Sequence, residues 1–312
     1  MLSNLLIVLP VFALILTGWV GRRTGALGPT ATREVNRLVV YFALPALLFD
    51  IMAKADPSEI WQPGFILAFG GGCLLVFAGT IALRVGQGAR LADAAIDGLN
   101  AGYANTGYIG FPLILAAMGE EGLGLTLVAT IITVCVVFAV AIALIEISLQ
   151  EEACPHEIIG TTAKKLATNP LLAAPALGAV FMFGGFPLPG AFDTFLTLLG
   201  AAASPCALIA LGLFLADSSG AKPAAGTPVL AALVTLKLIC QPLVTWLIAV
   251  PVLGLPPQTA ITAVLLAALP TGTGAFMLAE FYGREGVMTS RVVLITTVLS
   301  VLTLSAYLAV AG

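Results

Sequence analysis

A chain of 312 residues that is 60% apolar and only 9% charged does not have the composition of a water-soluble domain, since such domains carry about 25% charged residues. Its mean hydropathy is +1.08. With 13 basic against 16 acidic residues, net −3, it lacks the basic excess that nucleic-acid binding requires. The apolar runs are far longer than the alternating segments of a membrane barrel, so the spans are helices. At about 20 residues per crossing plus a short connection, the length accommodates roughly ten.

In chain order, spans are predicted near 4–21, 34–53, 64–85, 91–118, 123–149, 165–184, 191–216, 227–252, 258–282 and 288–311. The first has no basic residue before it and is followed by Arg22 and Arg23, the pattern of an uncleaved span rather than of a leader. Connections are short and polar or rich in Pro and Gly, as at Ala55-Asp56-Pro57-Ser58 and Gly220-Ala221-Lys222-Pro223. The longest, 150–164, separates a first five-span unit (1–149) from a second (165–312). Four cysteines, Cys73, Cys135, Cys206 and Cys240, lie within apolar runs and read as small buried hydrophobes.

Positive charge marks the cytoplasmic side. Arg22, Arg23, Arg33, Arg37, Arg84, Arg90, Lys164, Lys165, Lys222, Arg284 and Arg291 fall in or beside the connections that follow odd-numbered spans. Only Lys54 falls on the other side, and Lys237 lies inside span 8. A multi-pass protein of the inner (plasma) membrane is expected, with both termini on the non-cytoplasmic side. A duplicated five-span unit must then place its second copy upside down. Three proline pairs support the duplication: Pro10 with Pro170 and Pro45 with Pro205 lie 160 residues apart, and Pro112 with Pro270 lie 158 apart. Inverted repeats of this kind are the usual build of secondary transporters.

Spans 4 and 9 each carry a polar stretch of helix breakers. The first runs Asn100-Ala101-Gly102-Tyr103-Ala104-Asn105-Thr106-Gly107-Tyr108-Ile109-Gly110-Phe111-Pro112, the second Leu269-Pro270-Thr271-Gly272-Thr273-Gly274. Interior Gly costs a helix about 1 kcal/mol and Pro about 3 kcal/mol, so both stretches are expected to unwind at membrane depth, which is tolerable only beside protein or a wet cavity. The N–H groups at the start of each second half-helix carry partial positive charge. Two such ends meeting near the midplane would hold a carboxylate without any arginine. The candidate substrate site is therefore Asn105, Thr106, Gly107, Gly110, Pro112, Pro270, Thr271, Gly272, Thr273 and Gly274.

Other ionisable residues have competing readings. Lys237, deep in span 8, is a counter-charge or coupling group, or a lysine whose head reaches the interface. Gln241-Pro242 one turn later marks a polar patch around it. Asp50, Glu146 and Glu280 could exchange a proton, with Glu280 the strongest of the three because it shares a helix with the second break. Asp93 and Asp97 suit the N-terminal end of span 4. His156, the single histidine, sits in the polar 150–164 connection, and no cofactor or metal set is apparent.

Several of these residues together resemble a known family. Asn36-Arg37-Leu38-Val39 with Phe42-Ala43-Leu44-Pro45 and Leu48-Phe49 resembles the second span of the auxin efflux carrier family, which includes plant auxin exporters and bacterial permeases linked to malonate or malate. Asn105-Thr106 with Gly110-Phe111-Pro112-Leu113 is similar to its fourth-span crossover. Ala268-Leu269-Pro270, Gly272, Phe276, Ala279 and Tyr282 are similar to its ninth-span motif, and Asn169-Pro170 to the start of its sixth span. The resemblance implies a fold shared with bile-acid sodium symporters, with crossed, broken spans 4 and 9. It implies a scaffold of spans 1, 2, 6 and 7, a moving unit of spans 3–5 and 8–10, a homodimer and an elevator-like motion. Two departures stand out: the long cytoplasmic region of the plant exporters is reduced to about fifteen residues, and Gly274 stands where bacterial relatives often carry Asn.

The function expected is secondary transport of a small carboxylate through the crossover, without a nucleotide-binding motif. Proton coupling, sodium coupling and uniport all stay open. A channel or membrane sensor on the same fold is the alternative. An intramembrane enzyme is a weaker reading: no histidine lies in a span, and only Lys237 with Ser204 or Ser300 could pair a base with a nucleophile.

Overall fold

The computed structural model describes residues 2–149, 168–218 and 227–311. The predicted 150–164 connection, with His156 and Lys164, lies outside the described residues, as do Lys165 and Lys222. The described residues form helices and contain no strand; one isolated β-bridge joins Ala104 to Thr271.

In chain order the helices are α1 (Leu2–Arg23), α2 (Ala31–Ala53), α3 (Pro63–Gly86), α4 (Leu91–Gly102), α5 (Thr106–Met118), α6 (Glu120–Ser148) and α7 (Pro170–Gly184). They continue with α8 (Gly190–Asp217), α9 (Pro228–Val252), α10 (Pro257–Ala267), α11 (Thr273–Phe281) and α12 (Gly286–Ala309). Among the described residues six, namely α2, α3, α6, α8, α9 and α12, are long and apolar enough to cross a membrane, and α5, α7 and α10 are shorter apolar helices. The chain is thus an all-helical, multi-pass membrane protein.

Prolines shape these helices without ending them. Pro45, Pro112 and Pro242 each follow a π-helical turn, at Val39–Ala43, Thr106–Gly110 and Leu236–Cys240. A proline ring presses on the carbonyl of the preceding turn and removes a donor. A wider turn relieves that pressure, so each helix continues through its proline.

Close packing relies on missing side chains. A Cβ on Gly18 of α1 would lie 2.1 Å from the Ile209 carbonyl of α8, and one on Gly212 would lie 1.9 Å from the Ile15 carbonyl. The two backbones therefore touch, as small residues permit between membrane helices. α7 packs on α2 and α3 packs on α4. At the centre, the second half of α4, α10 from Thr262 onward and α11 as far as Ala279 are buried on every side, which is where a helix without a polar outer face belongs.

Ion pairs pin the start of α4. Arg84 Nε donates to Asp97 Oδ2 at 2.7 Å, and Arg284, in the turn between α11 and α12, donates to both oxygens of Asp93 at 2.6 and 2.7 Å. Hydrogen bonding to Asp93 pushes the Arg284 guanidinium above its ordinary pKa. Arg22 at the end of α1 pairs with Asp217 at the end of α8.

Candidate functional site

Two interruptions meet at the centre of the bundle. The first comprises Tyr103, Ala104 and Asn105 between α4 and α5; the second runs from Ala268 to Gly272 between α10 and α11. Tyr103 and Gly272 are extended, with ψ of 101° and 147°. Lying antiparallel, the two strands of chain exchange two backbone hydrogen bonds: Asn105 N–H donates to Pro270 O and Gly272 N–H to Tyr103 O, both at 3.0 Å. Backbone groups released by unwinding in a water-poor interior need partners, and here each break supplies them to the other. Unwinding stops short of Pro112, because the Thr106–Gly110 π turn carries α5 past it.

Side chains complete the crossing. Thr271 Oγ1 donates to Asn100 O (2.7 Å), and Thr271 N–H donates to Thr296 Oγ1 of α12 (3.2 Å). Asn100 Nδ2 donates to Thr289 Oγ1 (3.0 Å), while Thr106 and Thr133 share a hydroxyl hydrogen bond of 2.8 Å.

Beside the crossing lies a small cavity of about 70 Å³, partly open to the outside. Tyr103, Asn105, Thr106, Gly107 and Tyr108 line it from the first break, and Gly272, Thr273, Gly274 and Met277 from the second. Val39, Leu44 and Leu47 of α2 and Ala203, Ser204 and Ala207 of α8 form its far wall. The polar groups of this lining are all neutral: an amide, hydroxyls and backbone. The first N–H groups of α5 and of α11 have no acceptor within their own helices, and both helix starts belong to the lining.

Of the predicted site residues, Asn105, Thr106, Gly107, Gly272, Thr273 and Gly274 line the cavity. Pro270 and Thr271 are fully enclosed in the bridge. Gly110 faces Leu266, Leu269 and Thr126 instead, and Pro112 is exposed on α5. Asp50 pairs with Lys54 at 2.7 Å, away from the cavity. Glu280 borders a second, polar cavity of about 420 Å³ with Arg33, Asn36, Arg37, Tyr41 and Phe281. Glu146 accepts from the Tyr282 hydroxyl at 2.8 Å.

Lys237 is fully buried but does not border the crossover cavity. Its ammonium donates to Gln241 Oε1 and, at 2.8 Å, to Ala267 O, the last carbonyl of α10. Gln241 Nε2 in turn donates to Gly102 O, the last carbonyl of α4, at 3.1 Å.

Sequence reasoning missed Tyr103 as a wall of the site. Its ring packs on Phe138, with centroids 5.7 Å apart, and covers the face of Gly272 and Gly274. The available signal was the Gly-x-Gly spacing in the second break, which leaves room for a large partner opposite.

Comparison with known proteins finds membrane transporters. A family profile described as "Membrane transport protein" matches residues 5–308. A Rhizobium meliloti protein named "Putative malonate transporter" is 31% identical over 306 residues, covering 97% of this chain and 94% of that one. An uncharacterised transporter of Methanothermobacter thermautotrophicus is 30% identical over 212 residues, and one of Escherichia coli 25% over 223, each covering 67% of both chains. The chain belongs to the membrane transport protein family, the auxin efflux carrier family that its crossover motifs resemble.

Proposed function

We propose that this chain is a secondary active transporter of a small organic carboxylate, bound where the two broken helices cross. The observation that carries the reading is the cavity itself, in which the N-terminal ends of α5 and α11 flank neutral polar side chains. Helix N-termini carry roughly half a positive charge each and hold anions through backbone N–H groups. The name of the R. meliloti relative makes malonate the first substrate to try.

The family resemblance supplies the rest of the proposal. α4 with α5 and α10 with α11 would be spans 4 and 9 of a ten-span inverted repeat. α1, α2, α7 and α8 would form the scaffold of a homodimer, and the remaining helices a unit that moves past it as an elevator. The position of the cavity, between the crossing and α2 with α8, suits such a sliding boundary.

The test is uptake of labelled malonate, malate, pyruvate or indole acetate into proteoliposomes, under separate pH and sodium gradients. Saturable, gradient-driven accumulation is expected, and Asn105→Ala should abolish it while the protein stays folded and inserted. Normal uptake by that variant removes the proposed site, and unsaturable high flux would make the protein a pore.

A further inference from the structure

A buried ammonium normally sits against a carboxylate, because an unpaired charge taken out of water is severely destabilising. Among the described residues no carboxylate pairs with Lys237. It bonds the C-terminal end of α10 directly, and its partner Gln241 bonds the C-terminal end of α4. Each helix C-terminus carries roughly half a negative charge, so two together balance one ammonium. Both ends exist only because the helices are broken, and their last carbonyls have no acceptor-filling N–H from a following turn.

We propose that Lys237, acting with Gln241, is a built-in cation that closes the C-terminal ends of both broken helices, holding the place a free monovalent cation would otherwise take. Lys237 is then a positioning residue. It fixes the Ala267 and Gly102 ends directly behind the crossing, while the N-terminal ends in front of it face the cavity. Lys237 lies in the π turn Leu236–Cys240 and Gln241 begins the α-helical segment just after it, four residues on, so that one side chain reaches each carbonyl. The inference deepens the carrier reading and rests on it for one consequence: these two carbonyl ends are not a sodium-coupling site in this chain.

The test is chemical rescue, read by thermal unfolding of the purified protein in detergent. Lys237→Ala opens a cavity shaped for propylammonium, Lys237→Met fills it without charge, and Lys237→Arg keeps the charge. Each is measured in propylammonium chloride, sodium chloride and choline chloride at equal ionic strength. The expected result is a midpoint lowered by roughly 5 °C or more in the Ala and Met variants, and less in Arg. Propylammonium or sodium, relative to choline, should recover at least half of the loss in Ala alone. Recovery in Ala and Met alike, recovery in neither, or a Met variant as stable as the parent overturns the proposal. Where Ala is not recovered from membranes, extraction with propylammonium decides: it should restore Ala but not Met, and restoration of neither overturns it. This readout needs no substrate, so it stands or falls separately from uptake by Asn105→Ala.

Discussion

Tyr103 occupies the space that a side chain at Gly272 or Gly274 would need. A Cβ on Gly272 would lie 2.4 Å from its Cε1, and one on Gly274 2.7 Å from its hydroxyl oxygen. The hydroxyl thus stands beside position 274, where the family resemblance leads one to expect Asn. Gly272→Ala should cost about 1–3 kcal/mol through overpacking, because the ring is held from behind by Phe138. Tyr103→Leu in the same chain should recover part of that loss. A double-mutant cycle by denaturant unfolding checks the coupling, and strictly additive costs would show that ring and glycine do not compete for the same space.

At the scale of elements, α1 and α8 are in backbone contact through Gly18 and Gly212. Gly212→Val should destabilise by about 3 kcal/mol, since a carbonyl 1.9 Å from the new Cβ moves only if the whole helix does. Gly79→Ala on α3 is the contrast: a Cβ there meets nothing within 4 Å, so it should gain up to about 1 kcal/mol of helix propensity. Equal effects from the two would remove the close-contact explanation. The breaks between α4 and α5 and between α10 and α11 were legible in the sequence because Gly, Pro and Asn-Thr act locally on the chain that carries them. Their mutual hydrogen bonding was not, nor was the partner of Lys237. Both depend on backbone carbonyls of Tyr103, Pro270, Ala267 and Gly102, and every residue type has a carbonyl. The site was readable for the same reason in its polar half, at Asn105 and Thr273, but not in its apolar wall. Val39, Leu47 and Ala207 look like any lipid-facing or core residue until the helices that carry them are placed.

At the scale of the whole molecule, the charge distribution makes a prediction about sidedness. The ten-span reading of the sequence places eleven basic residues in or beside the connections after odd-numbered spans, so an alkaline phosphatase fused after Gly312 should be active and a fluorescent protein at the same place dark. Fusions at 220 should give the opposite pair of results. Bright fluorescence at 312 would reverse the topology. The lining of the crossover cavity offers no side-chain charge, so in the proposed carrier the cargo brings the only formal charge at the site. Charges fixed to the protein, Lys237 included, return with the empty carrier and cancel over a cycle, which leaves the voltage acting on the cargo and on any ion that moves with it. Each elementary charge moved through the full field is worth about 2.3 kcal/mol per 100 mV, and a dianion feels twice that. A membrane negative inside then drives such anions outward, so voltage alone sets a direction, and net uptake of a dianion has to draw on a companion ion or a steep concentration difference.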